Sequence, residues 1–342
     1  MVAPLLRMGF IGFADERYLV DLLKTRSQSL RWQPWTYLEA DALWVNGTHA
    51  QPARNHLVRV PSADPQKPAV LLNLQEMGRP MAFTLPLGNA AVSPPFTFDP
   101  HSAPSVAEVL VTFETLLRPL ATQLAVAGEI VARRHSLTST VYHIVRNGVL
   151  VAIIDSHRDV GLAPDLAASE LQEAVWSSRP ESASAMPPHF RRISFAEMMW
   201  QYALRNEDDL LPAKYRQRTI YFRKAPAVQR RSLKDAHLAV LSTLSAQPLT
   251  FAQLQAQIGF AERQLTQALM ALYFAGSITT EERLADAQRL QAARRRAKEA
   301  EAAPFASSMS FSEFGSVPPV PGLPPGGDTP IGDTVPTPLG PH

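Results

Sequence analysis

The chain has 342 residues, 46% hydrophobic and 19% charged, with a net charge of +2, a composition that suits a folded chain of two or three domains. It contains no cysteine, which excludes disulfides, zinc–thiolate centres and cysteine nucleophiles and fits a reducing, cytoplasmic location. The near-neutral total says nothing about nucleic acid, but the charge is unevenly spread. Lys+Arg against Asp+Glu number nine to seven in residues 1–98, six to ten in 99–188, eleven to five in 189–235 and two to four in 236–287.

The opening MVAPLLRMGFIGFADE has a brief apolar run ended by Asp15 and Glu16. It lacks the long apolar centre of a signal peptide, and no later run approaches the length of a membrane span, so no membrane partner is expected. RMGFIGFAD reads as a strand and ERYLVDLLKTRS as an amphipathic helix with Tyr18, Leu19, Leu22 and Leu23 on one side. DALWVNG, HLVRV, PAVLLNL and MAFTLPL are further short apolar runs bounded by Pro, Gly and Asn, and read as strands. Residues 1–88 are therefore expected to form a small α/β domain. An acidic pair after the first strand, followed by DALWVN, resembles response-regulator receiver domains, in which the third strand ends in a phosphoacceptor aspartate. Here Asn46 stands at that place. An amide neither attacks a phosphoryl group nor holds Mg²⁺, so the resemblance implies a receiver-like domain without phosphotransfer.

Residues 89–104 are rich in Pro and small residues and read as a linker. Ser105 with Glu108 offers a capping box to a helix whose stripe is Val106, Val109, Leu110, Phe113, Leu117, Leu120, Leu124 and Val131. Pro119 is expected to kink or split it. The stripe over 105–131 serves either to form a homodimer or to cover a sheet. TVYHIVRNGVLVAIID is two strand-like runs around Asn147-Gly148, a type I′ turn dipeptide, and predicts a β-hairpin at 140–155. If its second strand continues through DSHRD, Asp155, His157 and Asp159 share a face and could hold a divalent ion; a polar strand end is the alternative. A helix over about 165–176, a loop over 177–188, a helix SFAEMMWQYALR and an amphipathic strand RQRTIYFRK complete an α+β middle domain, 105–235.

LTFAQLQAQIGFAERQLTQALMALYFAGSIT, residues 249–279, reads as a helix-turn-helix. Leu254 and Ile258 face inward from one helix, Gly259 takes the turn, Leu265, Leu269 and Leu272 pack the next helix, and Gly276 stops it. With the preceding helix HLAVLSTLSAQ, the segment 236–280 resembles winged-helix domains, AERQLTQALMALYFAG matching their recognition helix and GSITTEERL the start of the wing. The resemblance implies that Arg263, Gln264 and Gln267 would read base edges. Yet the unit over 236–287 is acidic, with Glu262 at the helix start and Glu281 and Glu282 at the wing, which opposes a polyanion.

The positive charge lies upstream, where Arg191, Arg192, Arg216, Arg218, Arg223, Arg230 and Arg231 interleave with aromatics. Such a cluster can bind a nucleotide or single-stranded nucleic acid, or pair with the acidic segment 99–188. Residues 288–303 read as a charged helix, and 304–342, rich in Pro and Gly, as a disordered tail. No nucleotide-loop, nucleophile-elbow or HExxH string occurs. The expectation is a non-catalytic cytoplasmic regulatory or adaptor protein that works through protein contacts without a cofactor, and that senses an anionic ligand at the arginine cluster. The alternatives are a transcription regulator docking through Arg263, Gln264 and Gln267, and a metalloprotein or enzyme built on Asp155, His157 and Asp159.

Overall fold

The computed structural model describes residues 4–26, 30–54, 56–75, 78–206 and 208–285; all lie in one of the two units into which the chain divides, Met1–Ala292. The expectations for 288–303 and 304–342 fall outside the described residues. The fold is mixed α/β with several sheets.

In chain order the first part holds β1 (Leu5–Ile11), α1 (Arg17–Arg26), β2 (Arg31–Trp35), β3 (Ala42–Val45), β4 (Gln51–Pro52), β5 (Leu57–Val60), β6 (Val70–Asn73), β7 (Met81–Thr84) and β8 (Phe96–Phe98). Five of these strands form a parallel sheet in the order β2-β1-β3-β7-β8. Alternation sorts its side chains into two cores. Leu6, Met8, Phe10, Ala42, Trp44 and Phe98 pack with the helices, whereas Leu43, Val45, Met81 and Phe83 pack with Val58, Val60 and Leu72 of the small antiparallel sheet β4-β5-β6. The sheet is thus covered by helices on one face and by strands on the other. The β2–β3 connection passes against β1 at Gly9, where a Cβ would lie 2.7 Å from Tyr37 Cα, so a side chain at position 9 would displace the crossing.

One expectation fails here, and one strand was unforeseen. The segment 89–104 is no linker, because β8 lies inside it and adds the fifth strand. β2 was not foreseen: RWQPW carries a proline, which an edge strand tolerates because one side of its backbone needs no partner.

α2 (Ala103–Ala132) is a single helix. Its N-cap is Ser102, with Pro104 in the first turn, and the Ser105 hydroxyl instead accepts from the Asp99 amide. Pro119 does not split it. By length and composition it would suffice to cross a membrane, against the expectation that no segment does, but half of its most apolar window is buried inside the chain. Val106, Val109, Leu110 and Phe113 join the core of the parallel sheet, and Ala125, Val126, Ala127 and Ile130 join the core of a second sheet. The stripe proposed for a homodimer therefore covers sheets of its own chain.

The second sheet is antiparallel, ordered β12-β9-β10-β11-β13, from β9 (Val141–Arg146), β10 (Val149–Asp155), β11 (Asp159–Leu162), β12 (Val175–Arg179) and β13 (Arg191–Ser194). The β9–β10 hairpin forms as expected, with φ of 49° at Asn147 and 79° at Gly148. The helix expected over 165–176 is instead a 3-10 turn at Ala168–Glu173 followed by β12, whose β-branched and aromatic start, Val175-Trp176, favours a strand.

α3 (Phe195–Arg205) gives Met198 and Met199 to the core of this second sheet and Trp200 and Ala203 to a third core. That third core contains α4 (Lys214–Gln217), β14 (Tyr221–Phe222), α5 (Asp235–Ala246), α6 (Phe251–Ile258), α7 (Glu262–Phe274) and β15 (Ile278–Thr279). RQRTIYFRK is accordingly not one strand: it starts in α4, and Ile220 is fully buried rather than on an alternating face. β14 pairs antiparallel with β15, so residues 221–222 belong with the C-terminal helices. Thr250 and Gln253 exchange capping hydrogen bonds at the start of α6, and Gly259 ends it with φ of 78°, where any other residue is strained.

One buried ion pair ties the first layer to the last. Asp41, in the β2–β3 connection, accepts from the Arg7 amide at 2.9 Å and from Arg205 Nη2, at the end of α3, at 2.6 Å. The two side chains are 6% and 10% exposed. Removing the carboxylate would leave a buried guanidinium without its counter-charge, and Asp41→Ala is expected to cost about 3–5 kcal/mol of stability. Adding Arg205→Met should restore part of it. Urea unfolding of the three proteins checks this, and a loss below about 1 kcal/mol for Asp41→Ala would mean that the pair does not hold the layers together.

Candidate functional site

Beside that ion pair opens a cleft of about 820 Å³. One wall is the first layer, through Arg7, Trp35 and Glu39; the opposite wall is the exposed side of α7, through Arg263, Gln264 and Gln267; the ends of α3 and α5 supply Arg205 and His237.

Each wall is held by local chemistry. Trp35, half-buried, carries the Arg7 guanidinium 4.0 Å from its ring centroid and donates from Nε1 to Glu39 at 3.3 Å. Arg7 donates in turn to the Leu204 carbonyl at 2.6 Å. Glu39 meets Lys234, just before α5, at 2.6 Å, and the Lys234 ammonium holds its carboxyl below the usual range. On the far wall Arg216 donates to Asp209 and to Glu262, both at 2.7 Å, and to the Thr266 hydroxyl at 3.0 Å. Among the described residues, the arginine of the basic cluster that reaches the start of α7 is thus engaged by carboxylates. Arg263 is exposed and has no ion pair among the described residues.

The other predicted residues lie apart from this cleft. Arg191 and Arg192 sit on β13, and Arg192 donates to the Met186 carbonyl. Arg218 and Arg230 are exposed. Arg223 lies by Gly276 beyond the opposite end of α7, where its amide donates to the Ser277 carbonyl. The side chain of Arg231 is outside the described residues. Among the described residues no ion pair joins the cluster to the acidic segment: those found for Arg205, Lys214, Arg216 and Lys234 go to Asp41, Glu281, Asp209, Glu262 and Glu39. Charge tallies along a sequence miss this because all of those partners but Asp209 come from elements brought together only by folding.

The geometry behind the metal expectation fails. The strand ends at Asp155, and the chain reverses at once so that Ile154 faces Val160. Asp155 is buried, its carboxylate accepting from the His157 amide at 2.9 Å, while His157 is exposed on the turn. Among the described residues no group of three or more His, Cys, Asp or Glu is placed to hold a metal ion. At the receiver-like position, Asn46 donates to the Gly12 carbonyl at 2.9 Å and accepts from the Thr48 amide at 3.1 Å, so its amide closes the ends of β1 and β3.

A second cleft, about 890 Å³, lies between β2 and the later half of α2, with Trp32, Pro34 and Leu124 in its lining. β2 is a sheet edge, but Pro34 removes a donor from it and blunts it as a template for another strand. The cleft at α7 holds the ion pairs of Lys234 and Arg216 described above and is the better candidate. Sequence reading missed Trp35, Glu39, Asp41 and Lys234; the one available signal was Asp41, a carboxylate placed directly before a wholly apolar strand.

His237 closes the floor of this cleft. It is 3% exposed, packs on the Trp200 ring at 4.6 Å and accepts at Nδ1 from the Lys234 amide. Burial, then the Lys234 charge, pushes its pKa from 6.5 to about 4. The unfolded chain therefore binds a proton that the folded chain refuses, so stability is complete above pH 6.5 and falls as pH drops towards 4. The loss should reach about 3 kcal/mol, and His237→Gln should remove that part of the slope; matching pH profiles of unfolding for both proteins would contradict this role. Comparison with known proteins establishes no kinship: no family model and no curated protein matches the chain.

Proposed function

We propose that this chain is a non-catalytic regulatory or adaptor protein that acts through protein contacts and senses an anionic ligand. The observation that carries the reading is the engagement of Arg216 by Asp209 and Glu262. A helix that grips duplex DNA needs free cations beside it, because phosphate neutralisation supplies most of the affinity. The start of α7 has carboxylates there, and its polar side faces a cleft whose other wall is the first layer of the same chain. In this reading residues 236–280 are a winged-helix-like module turned to packing and ligand contact. The first layer is a receiver-like module without a phosphoacceptor; its strand order, 2-1-3-4-5 when the sheet is numbered along the chain, is that of flavodoxin-like sheets, although strands rather than helices cover its second face, and Asn46 stands where phosphotransfer would need a carboxylate. The apolar stripe of α2 is used internally, so partner contacts fall on other surfaces.

One observation favours a gene regulator instead: Arg263, Gln264 and Gln267 are exposed together on α7. Fluorescence anisotropy with random-sequence duplex DNA at physiological salt separates the two readings. The adaptor reading expects binding no tighter than about 10⁻⁶ M. Nanomolar, salt-dependent binding that Arg263→Ala weakens would establish the regulator.

A further inference from the structure

The cleft beside α7 has the size and chemistry of a small-molecule site, and we propose that it binds a purine nucleoside monophosphate. This rests on the anionic-ligand part of the function above and moves the ligand from the dispersed arginine cluster to the α7 cleft. The volume, about 820 Å³, falls within the roughly 300–1,000 Å³ typical of ligand pockets. Trp35 is held in place: Arg7 covers one face of its ring, 4.0 Å from the centroid, Glu39 engages its N–H, and the residue is only half-buried, so a base would stack on the opposite face. A base stacks on such a ring whatever its sequence context.

Across the cleft, Gln264 and Gln267 are exposed, and their carboxamides have no partner among the described residues. Each presents a donor beside an acceptor, the complement of a purine edge.

The charges set the number of phosphates. Lys234, Arg205 and Arg216 are matched by Glu39, Asp41, Asp209 and Glu262. Arg7 lies over Trp35 and donates to the Leu204 carbonyl; Arg263 is the exposed guanidinium, suited to one phosphate in a bidentate contact. Asp208 lines the same cleft, and its repulsion grows with each added phosphate. Because the walls belong to the first layer and to the C-terminal helices, a bound nucleotide braces one against the other and so alters the surface that a partner meets.

Isothermal titration of the full chain with AMP, GMP and inorganic phosphate tests the proposal. The expected result is saturable binding of AMP or GMP. It should weaken about tenfold in Arg263→Ala and also fall in Gln267→Ala, both exposed positions at which folding should survive, while Arg191→Ala leaves it unchanged. Absence of saturable heat with either nucleotide at millimolar concentration overturns the proposal, as does equal binding by Arg263→Ala or binding of phosphate as tight as that of the nucleotide. Loss in Arg191→Ala also overturns it, and returns the ligand to the arginine cluster with the sensing role intact. Chromatography of the recovered nucleotide separates the two readings: intact nucleotide supports both, whereas conversion would end the non-catalytic reading and leave the site standing.

Discussion

The contact between Asp41 and Arg205 governs how this molecule is organised. Two charges 164 positions apart meet with almost no solvent around them. Burying each alone would be prohibitive, so each fixes the other. The carboxylate also caps the Arg7 amide, and Arg7 reaches the carbonyl of Leu204, the residue before Arg205. The end of α3 is therefore held against the β2–β3 connection at several points. That join stands beside the cleft and sets Arg7 and Arg205 in its lining.

Two shared helices make the join continuous with the cores. α2 seals the parallel sheet with its first half and the antiparallel sheet with its second; α3 then packs between the antiparallel sheet and the C-terminal helices. A helix that serves two cores cannot shift for one without disturbing the other, since packed interiors transmit strain. The consequence for function is that α7 is presented to its own chain. Its polar side lines a cleft opposite Trp35, and the ion pair of Lys234 with Glu39 bridges the two sides.

Much of the local structure was legible in the residues. The Asn147-Gly148 hairpin and the Gly259 turn each depend on a few neighbouring positions, and each forms where the sequence placed it. Elements whose reason lies elsewhere were not legible. β8 is three residues long and exists because β7 offers an edge; β14 is two residues long and exists because β15 returns to it. The same division holds for the site. The exposed trio on α7 was visible from helical spacing, but the wall it faces was not, because Trp35 and Lys234 are brought to it only by the closure of the layers. The supposed metal triad failed for the converse reason: it assumed that a strand ran on, where a turn reverses it at Asp155.

This arrangement requires that the first layer and the C-terminal helices close on one another across the cleft. Zero-length carbodiimide coupling followed by peptide mass spectrometry tests it directly, since it joins an amine to a carboxylate only where they touch. At 2.6 Å, Lys234 and Glu39 should form an amide linking the two sides. Coupling of local pairs such as Lys67 with Asp64, with no Lys234–Glu39 product, would show the cleft to be open and contradict the account.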